Sequence, residues 1–253
     1  MRRDDDDDNN GGGEPISRTE LVVSDLFVSF MWVWLGSVVR YLACGILGSG
    51  TSFRDLVIKG PLAVLYLYWF SLLGKRMGGG SYNPLIVLCY GVCGDFEGFL
   101  FVVFGRIPAQ VLGSIFGVWF VNTTFPAAAY GPRLNVDMHH GALTEGVLTL
   151  TIVAVSLWLK KSGKSSSTKM WISSISKVMC HIISSDMTGG IMNPAAAFGW
   201  AYAQGQHLTK EHLCVYWLAP MEATLLGVWI ASLFVHPRKL NRRQRQNEIR
   251  FQL

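Results

Sequence analysis

Charged residues are scarce in this chain, and those present cluster at its two ends. Asp, Glu, Lys and Arg account for 15% of its 253 residues, whereas a typical soluble domain has about 25%. Of its 39 charged residues, 17 lie in residues 1–20 and 236–253, which leaves 22 for the 215 residues between them. That central segment is too apolar for a water-soluble protein of this size. A hydrophobic content of 50% also excludes an intrinsically disordered chain.

Several functional classes are excluded because the residues they require are missing. The five cysteines are scattered and odd in number, which argues against a disulfide scaffold. The basic residues form no stripe interleaved with aromatic residues, so nucleic acid is not an expected partner. The chain contains no phosphate-binding loop, nucleophile elbow or zinc motif. We therefore predict no catalytic residue, no cofactor and no metal site.

Long apolar stretches dominate the sequence instead. A helix needs about 20 mainly apolar residues to cross the hydrocarbon core of a bilayer. Five segments meet this requirement: residues 21–42, 56–73, 98–121, 142–159 and 213–235. A sixth segment, residues 171–187, is poorer because it carries five serines and three ionisable side chains. The pattern predicts an all-α membrane protein that lies in a lipid bilayer.

The distribution of basic residues predicts the side of the membrane on which each loop lies. With six spans and a cytosolic N-terminus, fifteen Lys and Arg residues fall in cytosolic segments and three in exofacial loops. Because basic residues favour the cytosolic side, both termini are predicted to be cytosolic. Asn122 then lies in an exofacial loop, where the tripeptide Asn122-Thr123-Thr124 is a possible glycosylation site.

The sequence contains an internal repeat with an offset of 110 residues. The offset superposes Met77, Gly79, Gly80, Asn83 and Pro84 on Met187, Gly189, Gly190, Asn193 and Pro194. It also superposes residues 117–119 on residues 227–229, which read Gly-Val-Trp in both copies. Since each half holds three spans, an odd number, the second half is predicted to cross the membrane in the opposite direction. Inverted repeats are typical of channels and transporters whose site lies near the bilayer midplane.

Each copy of the repeat contains an Asn-Pro pair that follows glycines and precedes about ten fairly apolar residues. Asn is a preferred N-cap and Pro suits the first helical position, so each pair predicts the start of a helix that is too short to span and is therefore re-entrant. Inverted symmetry brings the two helix N-termini together, where their positive dipole ends favour a polar neutral molecule and repel cations. The two boxes are Asn83-Pro84-Leu85 and Asn193-Pro194-Ala195.

These paired Asn-Pro boxes resemble those of the aquaporin (major intrinsic protein) family. The likeness covers about residues 21–235. The Asn-Pro-Leu first box and the short, basic chain are similar to the plant small basic intrinsic proteins, above all to their type-two subfamily. The resemblance implies six transmembrane helices, two re-entrant half-helices, a pore in each protomer, a homotetramer and the endoplasmic reticulum membrane. The plasma membrane or another endomembrane is the alternative location. It also implies that Asp25 and Glu145 brace the two pore loops.

In the aquaporin family a second constriction, the selectivity filter, lies outside the Asn pair. Its four positions correspond by spacing to Ala63, His181, Gly190 and Ala196. Most of the family has Arg where this chain has Ala196, so the resemblance implies a wide outer filter in which only His181 keeps a hydrogen-bond donor. Leu85 opposes this widening, because it adds apolar bulk beside the first Asn and hydrophobic constrictions can close a pore by dewetting.

These features together predict a passive channel for water or a small neutral solute, and not an enzyme. The aquaporin-like channel domain covers residues 21–235, with repeat halves at about 21–125 and 139–235. A disordered acidic tail (residues 1–20) and a basic tail (residues 236–253) flank it, both cytosolic. Two alternatives stay open: a secondary transporter, since these also use inverted repeats and broken helices, and a poorly conducting membrane scaffold. Counter-transport or saturable flux would identify the transporter.

Overall fold

A computed structural model describes residues 16–47, 53–129 and 131–233. Most of the predicted acidic tail and the whole basic tail lie outside these described residues. The first helix begins at Arg18, inside the segment predicted to be the acidic tail. The reason is a capping box: the Ser17 hydroxyl accepts from the Glu20 N–H, and the Glu20 carboxylate accepts from the Ser17 N–H.

The described chain consists of long helices and two short helices that begin at the Asn-Pro pairs. In chain order they are α1 (Arg18–Leu47), α2 (Phe53–Arg76), α3 (Pro84–Cys93), α4 (Phe96–Phe101), α5 (Ile107–Thr124), α6 (Met138–Lys161), α7 (Ser166–Ser184), α8 (Pro194–Ala203), α9 (Lys210–Leu213) and α10 (Ala219–Leu233). The π-helical turns Val102–Arg106 and Cys214–Leu218 join α4 to α5 and α9 to α10, and a 3-10 turn, Pro126–Ala128, follows α5. Each joined pair acts as one long helix.

Four helical segments of the described residues are long and apolar enough to cross a membrane: Arg18–Gly45, Phe96–Thr124, Met138–Lys161 and Lys210–Leu233. Together with α2 and α7 they form the predicted arrangement of six transmembrane helices around the two half-helices α3 and α8. Large apolar side chains such as Phe104, Trp119 and Leu143 are exposed on the outside of this bundle. Such a surface is what contact with lipid requires.

Glycines allow the long helices to pack closely. α1 packs along α5, and α6 packs along α10. A Cβ atom built on Gly113 would overlap the carbonyl oxygen of Leu26, and one on Gly117 would lie 2.9 Å from the carbonyl oxygen of Phe30. At the position equivalent to Gly117 in the second half, a Cβ on Gly227 would lie 2.7 Å from a methyl group of Val153. Small residues thus bring the backbones together in both halves.

Side-chain contacts hold α2 against α7. A side-chain cap also fixes the start of α6. The Tyr68 ring stacks on Trp171 with ring centroids 4.7 Å apart, and the Lys75 ammonium donates to the Ser166 hydroxyl. Asp137 caps α6 by accepting from the N–H groups of the two following histidines at 3.0 and 3.1 Å. The hydrogen bond from the His140 N–H, with that from His139, holds the pKa of the Asp137 carboxyl below its usual value.

Candidate pore and its two loops

The two Asn-Pro pairs begin helices in the way that the sequence predicts. We name residues 77–83 the first pore loop and residues 187–193 the second pore loop; they lead into α3 and α8. The Asn83 side-chain oxygen accepts from the Leu85 N–H at 3.0 Å, and the Asn193 side-chain oxygen accepts from the Ala196 N–H at 3.3 Å. Each Asn therefore satisfies one backbone donor at the start of its own helix.

The same two Asn side chains join the loops to each other. The Asn83 amide nitrogen donates to the carbonyl oxygen of Met192 at 2.7 Å, and the Asn193 amide nitrogen donates to the carbonyl oxygen of Tyr82 at 3.1 Å. Tyr82 and Met192 occupy equivalent positions in the repeat, so the two bonds are reciprocal. An amide group carries two hydrogens. Each Asn thus keeps a second N–H, and both residues line the central cavity.

The second pore loop is braced by the buried carboxylate of Glu145 in α6. Glu145 accepts from the Thr188 hydroxyl at 2.6 Å and from the N–H groups of Ile191 and Met192 at 3.2 and 3.0 Å. The Tyr216 hydroxyl donates to the carbonyl oxygen of Thr188 at 2.8 Å. Met192 has a φ of +42°, a conformation that strains a side-chain-bearing residue by roughly 1 kcal/mol or more. Met192 is held there because its N–H donates to Glu145 and its carbonyl oxygen accepts from Asn83.

The first pore loop is braced by Asp25 of α1, and it has a second partner. Asp25 accepts from the Ser81 N–H at 2.6 Å, and Ser81 is equivalent to Ile191 in the repeat. The Arg106 guanidinium donates to both Asp25 oxygens at 2.7 and 2.8 Å and to the carbonyl oxygen of Gly79 at 2.7 Å. Asp25 is fully buried, and the Arg106 side chain is 13% exposed. Asp25 and Arg106 together hold the first pore loop in the way that the longer Glu145 holds the second.

Arg106 is not among the site residues predicted from the sequence, although a signal for it exists. The repeat offset of 110 residues places Arg106 opposite Tyr216. Both side chains emerge from π-helical turns and bond a carbonyl oxygen at the glycine-rich start of a pore loop. The repeat offset therefore relates Arg106 to Tyr216, and this is the signal in the sequence that points to Arg106.

Aromatic side chains support the first pore loop from the side of α1 and α2. The Tyr82 ring lies on Trp32 with ring centroids 3.8 Å apart and an interplanar angle of 5°. Phe70 packs edge-on against both rings, and the Tyr66 hydroxyl donates to the carbonyl oxygen of Trp32 at 2.6 Å. Trp32, Tyr66 and Tyr82 also line the cavity, and none of the three belongs to the predicted site.

A cavity of about 710 Å³ passes both Asn side chains. Its walls include Arg133, which precedes α6, and Lys160, in the last turn of α6. Arg133 lies beside Gly189 of the second pore loop, so the cavity reaches from that loop to the last turn of α6. The lining also contains Leu85 and the four predicted filter residues Ala63, His181, Gly190 and Ala196. Ala195 is fully buried and is not part of the lining.

His181 and Gly190, two of the four predicted filter residues, contact each other. His181 Nδ1 lies 3.2 Å from the carbonyl oxygen of Gly190, and because a carbonyl only accepts, Nδ1 carries the proton. His181 thus has the hydrogen-bond donor that the sequence predicts, and in this tautomer the donor faces Gly190 while Nε2 of the neutral ring is an acceptor. Gly190 has a φ of +53°, and a Cβ there would overlap the Ser184 hydroxyl and lie 3.0 Å from the Cα of His181. Only glycine fits this position.

The remaining predicted features lie away from the cavity. Asn122 is exposed in the last turn of α5 and does not line the cavity. Among residues 16–47, 53–129 and 131–233, no group of three or more His, Cys, Asp or Glu side chains is arranged to hold a metal ion.

Comparison with known proteins establishes the family. Residues 16–231 match the Major intrinsic protein family. This chain belongs to that family. The match confirms the resemblance drawn from the Asn-Pro boxes, and it makes the chain a multi-pass membrane protein of a family of channels rather than enzymes.

Curated relatives and a solved structure agree with this family assignment. This chain is 48% identical to the probable aquaporin SIP2-1 of Arabidopsis thaliana, over 88% of this chain and 94% of that protein. It is 36% identical to aquaporin SIP1-1 of Zea mays, over 85% of this chain and 91% of that protein. The aquaglyceroporin of Plasmodium falciparum shares the fold, with a TM-score of 0.60 and 18% identity over 86% of this chain and 95% of that one.

Proposed function

We propose that this major intrinsic protein is a passive channel that conducts water or small neutral solutes through each protomer. One observation carries the proposal: a single cavity reaches from the four predicted filter residues, past both Asn side chains, to the last turn of α6. The proteins it resembles are named as aquaporins, which agrees with transport of this kind.

The Asn-Pro signature supplies the chemistry for admitting neutral solutes and opposing cations. Asn83 and Asn193 each have one amide N–H that is not used between the loops, so two donors face a molecule with lone pairs. The N-termini of α3 and α8 meet at the same place, and their dipoles oppose the passage of cations and protons.

The cavity is wide at the outer filter, and one residue, Leu85, narrows it beside the Asn pair. Ala63, Gly190 and Ala196 contribute little bulk and no charge, which leaves His181 as the polar side chain of the filter. Leu85 lines the cavity beside Asn83, whereas its repeat equivalent Ala195 does not. We therefore expect solute size to be limited near Leu85 rather than at the filter.

The state of the buried carboxylates favours a channel over a secondary transporter. Ion-coupled transport needs a site that binds and releases an ion. All oxygens of Asp25 and Glu145 accept hydrogen bonds from the pore loops or from Arg106. These carboxylates have a bracing role, and neither lines the cavity.

The assembly and placement of the channel are also part of the proposal. The likeness to the small basic intrinsic proteins supports a homotetramer in the endoplasmic reticulum membrane. The excess of basic residues in one set of loops supports cytosolic termini, and Asn122 would then be available for glycosylation from the lumen.

Stopped-flow osmotic measurements on vesicles with purified protein test the channel. Water, glycerol, urea and hydrogen peroxide are compared, beside an Asn193 variant that lacks the side-chain amide. A bulky Ala63→Trp substitution fills the cavity without altering the loops, and the exposed Asn122→Gln serves as the matched control. We expect fast flux of at least one solute, loss with Ala63→Trp and no change with Asn122→Gln. Flux from folded wild-type protein equal to that of empty vesicles would contradict the proposal.

A further inference from the structure

The charged side chains that line the cavity all have the same sign. Among the described residues they are Arg40, Arg133, Lys160 and Lys177, and no Asp or Glu belongs to the lining. Arg133 lies before α6, Lys160 at its end, and Lys177 within α7, so the positive charges are spread over several parts of this cavity, which is the passage of the proposed channel. A water-filled passage whose walls carry one sign concentrates solutes of the opposite sign.

Lys177 occupies a distinctive place in this passage. It precedes His181 by four residues in α7, so it lies on the same face of that helix, about 6 Å further from the filter along the axis. Its side chain is half-buried. No Asp or Glu of the described residues lies within ion-pair distance of its ammonium group. In the sequence the same Lys is one reason why residues 171–187 look like a poor span.

The protein's own buried carboxylates do not serve as its counter-charge. Asp25 is paired with Arg106 at 2.7 Å, and Glu145 is occupied by Thr188 and two backbone N–H groups. An unpaired charge away from bulk water is unfavourable, and an ionisable residue inside a membrane protein is a functional-site candidate for that reason. Because Lys177 lines the cavity and has no protein carboxylate as a partner, an anion that enters the cavity can pair with it.

We propose that this passage also conducts small monovalent inorganic anions of the chloride and nitrate class, with Lys177 as the principal binding residue between filter and Asn pair. Lys and Arg lining a pore is the arrangement by which channels select anions. The small side chains of Ala63 and Ala196 leave room at the filter, while Leu85 restricts the anion to a small one. At the far end the Lys160 ammonium lies 5.4 Å from the centroid of the Tyr90 ring, which holds it at the mouth.

This inference rests on the proposed channel, and one vesicle preparation tests both separately. Neutral-lipid vesicles with purified full-length protein are loaded with a chloride-quenched fluorophore in potassium gluconate. They are diluted into potassium chloride with valinomycin, so that potassium entry compensates the charge that chloride carries. We expect chloride entry roughly tenfold or more above that of empty vesicles. Osmotic water flux is measured in the same preparation.

Three variants identify the residue responsible. Lys177→Met keeps the length of the side chain and removes the charge, so it should lower chloride entry about tenfold. Lys177→Arg keeps the charge and should retain most of the chloride entry, which a merely structural role would not predict. Lys164→Met, in the exposed loop between α6 and α7 and outside the cavity, should change nothing. Gel filtration confirms that each variant is folded.

The outcomes separate the two proposals. Water flux with chloride entry at background would overturn the anion proposal and leave the channel intact. Absence of both fluxes from folded protein would overturn both. Chloride entry that persists unchanged in Lys177→Met would also overturn the assignment to Lys177.

Discussion

The two pore loops share one backbone plan and differ in the chemistry that holds it. In both, an Asn caps a half-helix and reaches across to the other loop, and a buried carboxylate accepts from the equivalent backbone N–H. The second loop is held by Glu145, which makes three hydrogen bonds itself. The first loop is held by Asp25, one methylene shorter, together with Arg106.

The difference shows that two different sets of side chains can hold the same loop geometry. Asp25 is shorter than Glu145 and reaches fewer donors of its loop. The Arg106 guanidinium donates to Asp25 and to the Gly79 carbonyl oxygen of the same loop. The half-helices differ as well: α8 packs its Gly199 within 2.8 Å of the Ser114 backbone, measured from a built Cβ, and hides Ala195, whereas α3 presents Leu85 to the passage. Of the two half-helices, α8 is thus the more deeply buried.

The largest expected effect comes from removing the brace of the second loop. Glu145→Ala leaves the Thr188 hydroxyl and two backbone N–H groups buried without acceptors, at about 5 kcal/mol or more of unfolding free energy. Thermal denaturation in detergent measures it, with Glu145→Gln, which keeps one acceptor oxygen, as the intermediate case. Equal stability of Glu145→Ala and wild type would refute the bracing role.

The next effect tests the first loop. Arg106→Met leaves the fully buried Asp25 unpaired, and breaking such a pair destabilises by roughly 3 kcal/mol. Tyr216→Phe is the matched change in the second half, where one neutral hydrogen bond is lost, and it should cost only about 1 kcal/mol. Thermal denaturation of both variants checks the ranking. If Tyr216→Phe were the more damaging, the comparison between the loops would be wrong.

A smaller effect is expected from the glycines that enter the loops. Gly190→Ala places a Cβ against the Ser184 hydroxyl at a positive φ and should destabilise by about 2 kcal/mol. The equivalent Gly80→Ala meets Ser24 at 3.0 Å without a positive φ and should cost about half as much. Chemical denaturation distinguishes the two, and similar losses would indicate that backbone conformation does not contribute.

The smallest expected effect concerns Leu85. Leu85→Ala removes apolar bulk from the passage beside Asn83, so water flux should rise by roughly twofold if dewetting limits it there. Stopped-flow shrinkage of vesicles measures the rise per folded protomer. Unchanged flux in well-folded protein would show that the narrow point lies elsewhere.

Local patterns in the sequence were sufficient for much of the fold and for the centre of the site. The Asn-Pro boxes predict both half-helices because capping depends on neighbouring residues, and the repeat offset predicts that the two meet. Hydropathy predicts the long helices. The start of α1 differs because Ser17 and Glu20 form a capping box within a segment that its acidic composition assigned to the tail.

Features that depend on contacts between residues far apart in the sequence could not be predicted from local patterns. Arg106 bonds Asp25 across 81 residues, and its charge alone indicates no partner. Lys177 is plainly ionisable, yet only the packing of α7 shows that it lines the passage. The tautomer of His181 likewise depends on the Gly190 carbonyl oxygen, which the second loop brings to it.

The reciprocal amide bonds have a consequence for biosynthesis. The Asn83 amide finds its acceptor 109 residues later, and the Tyr82 carbonyl finds its donor 111 residues later. Chains are made from the N-terminus and fold as they emerge, so the first three spans enter the membrane before either partner exists. The first pore loop therefore lacks these two hydrogen bonds until the second half is inserted, and both pore loops are then completed together.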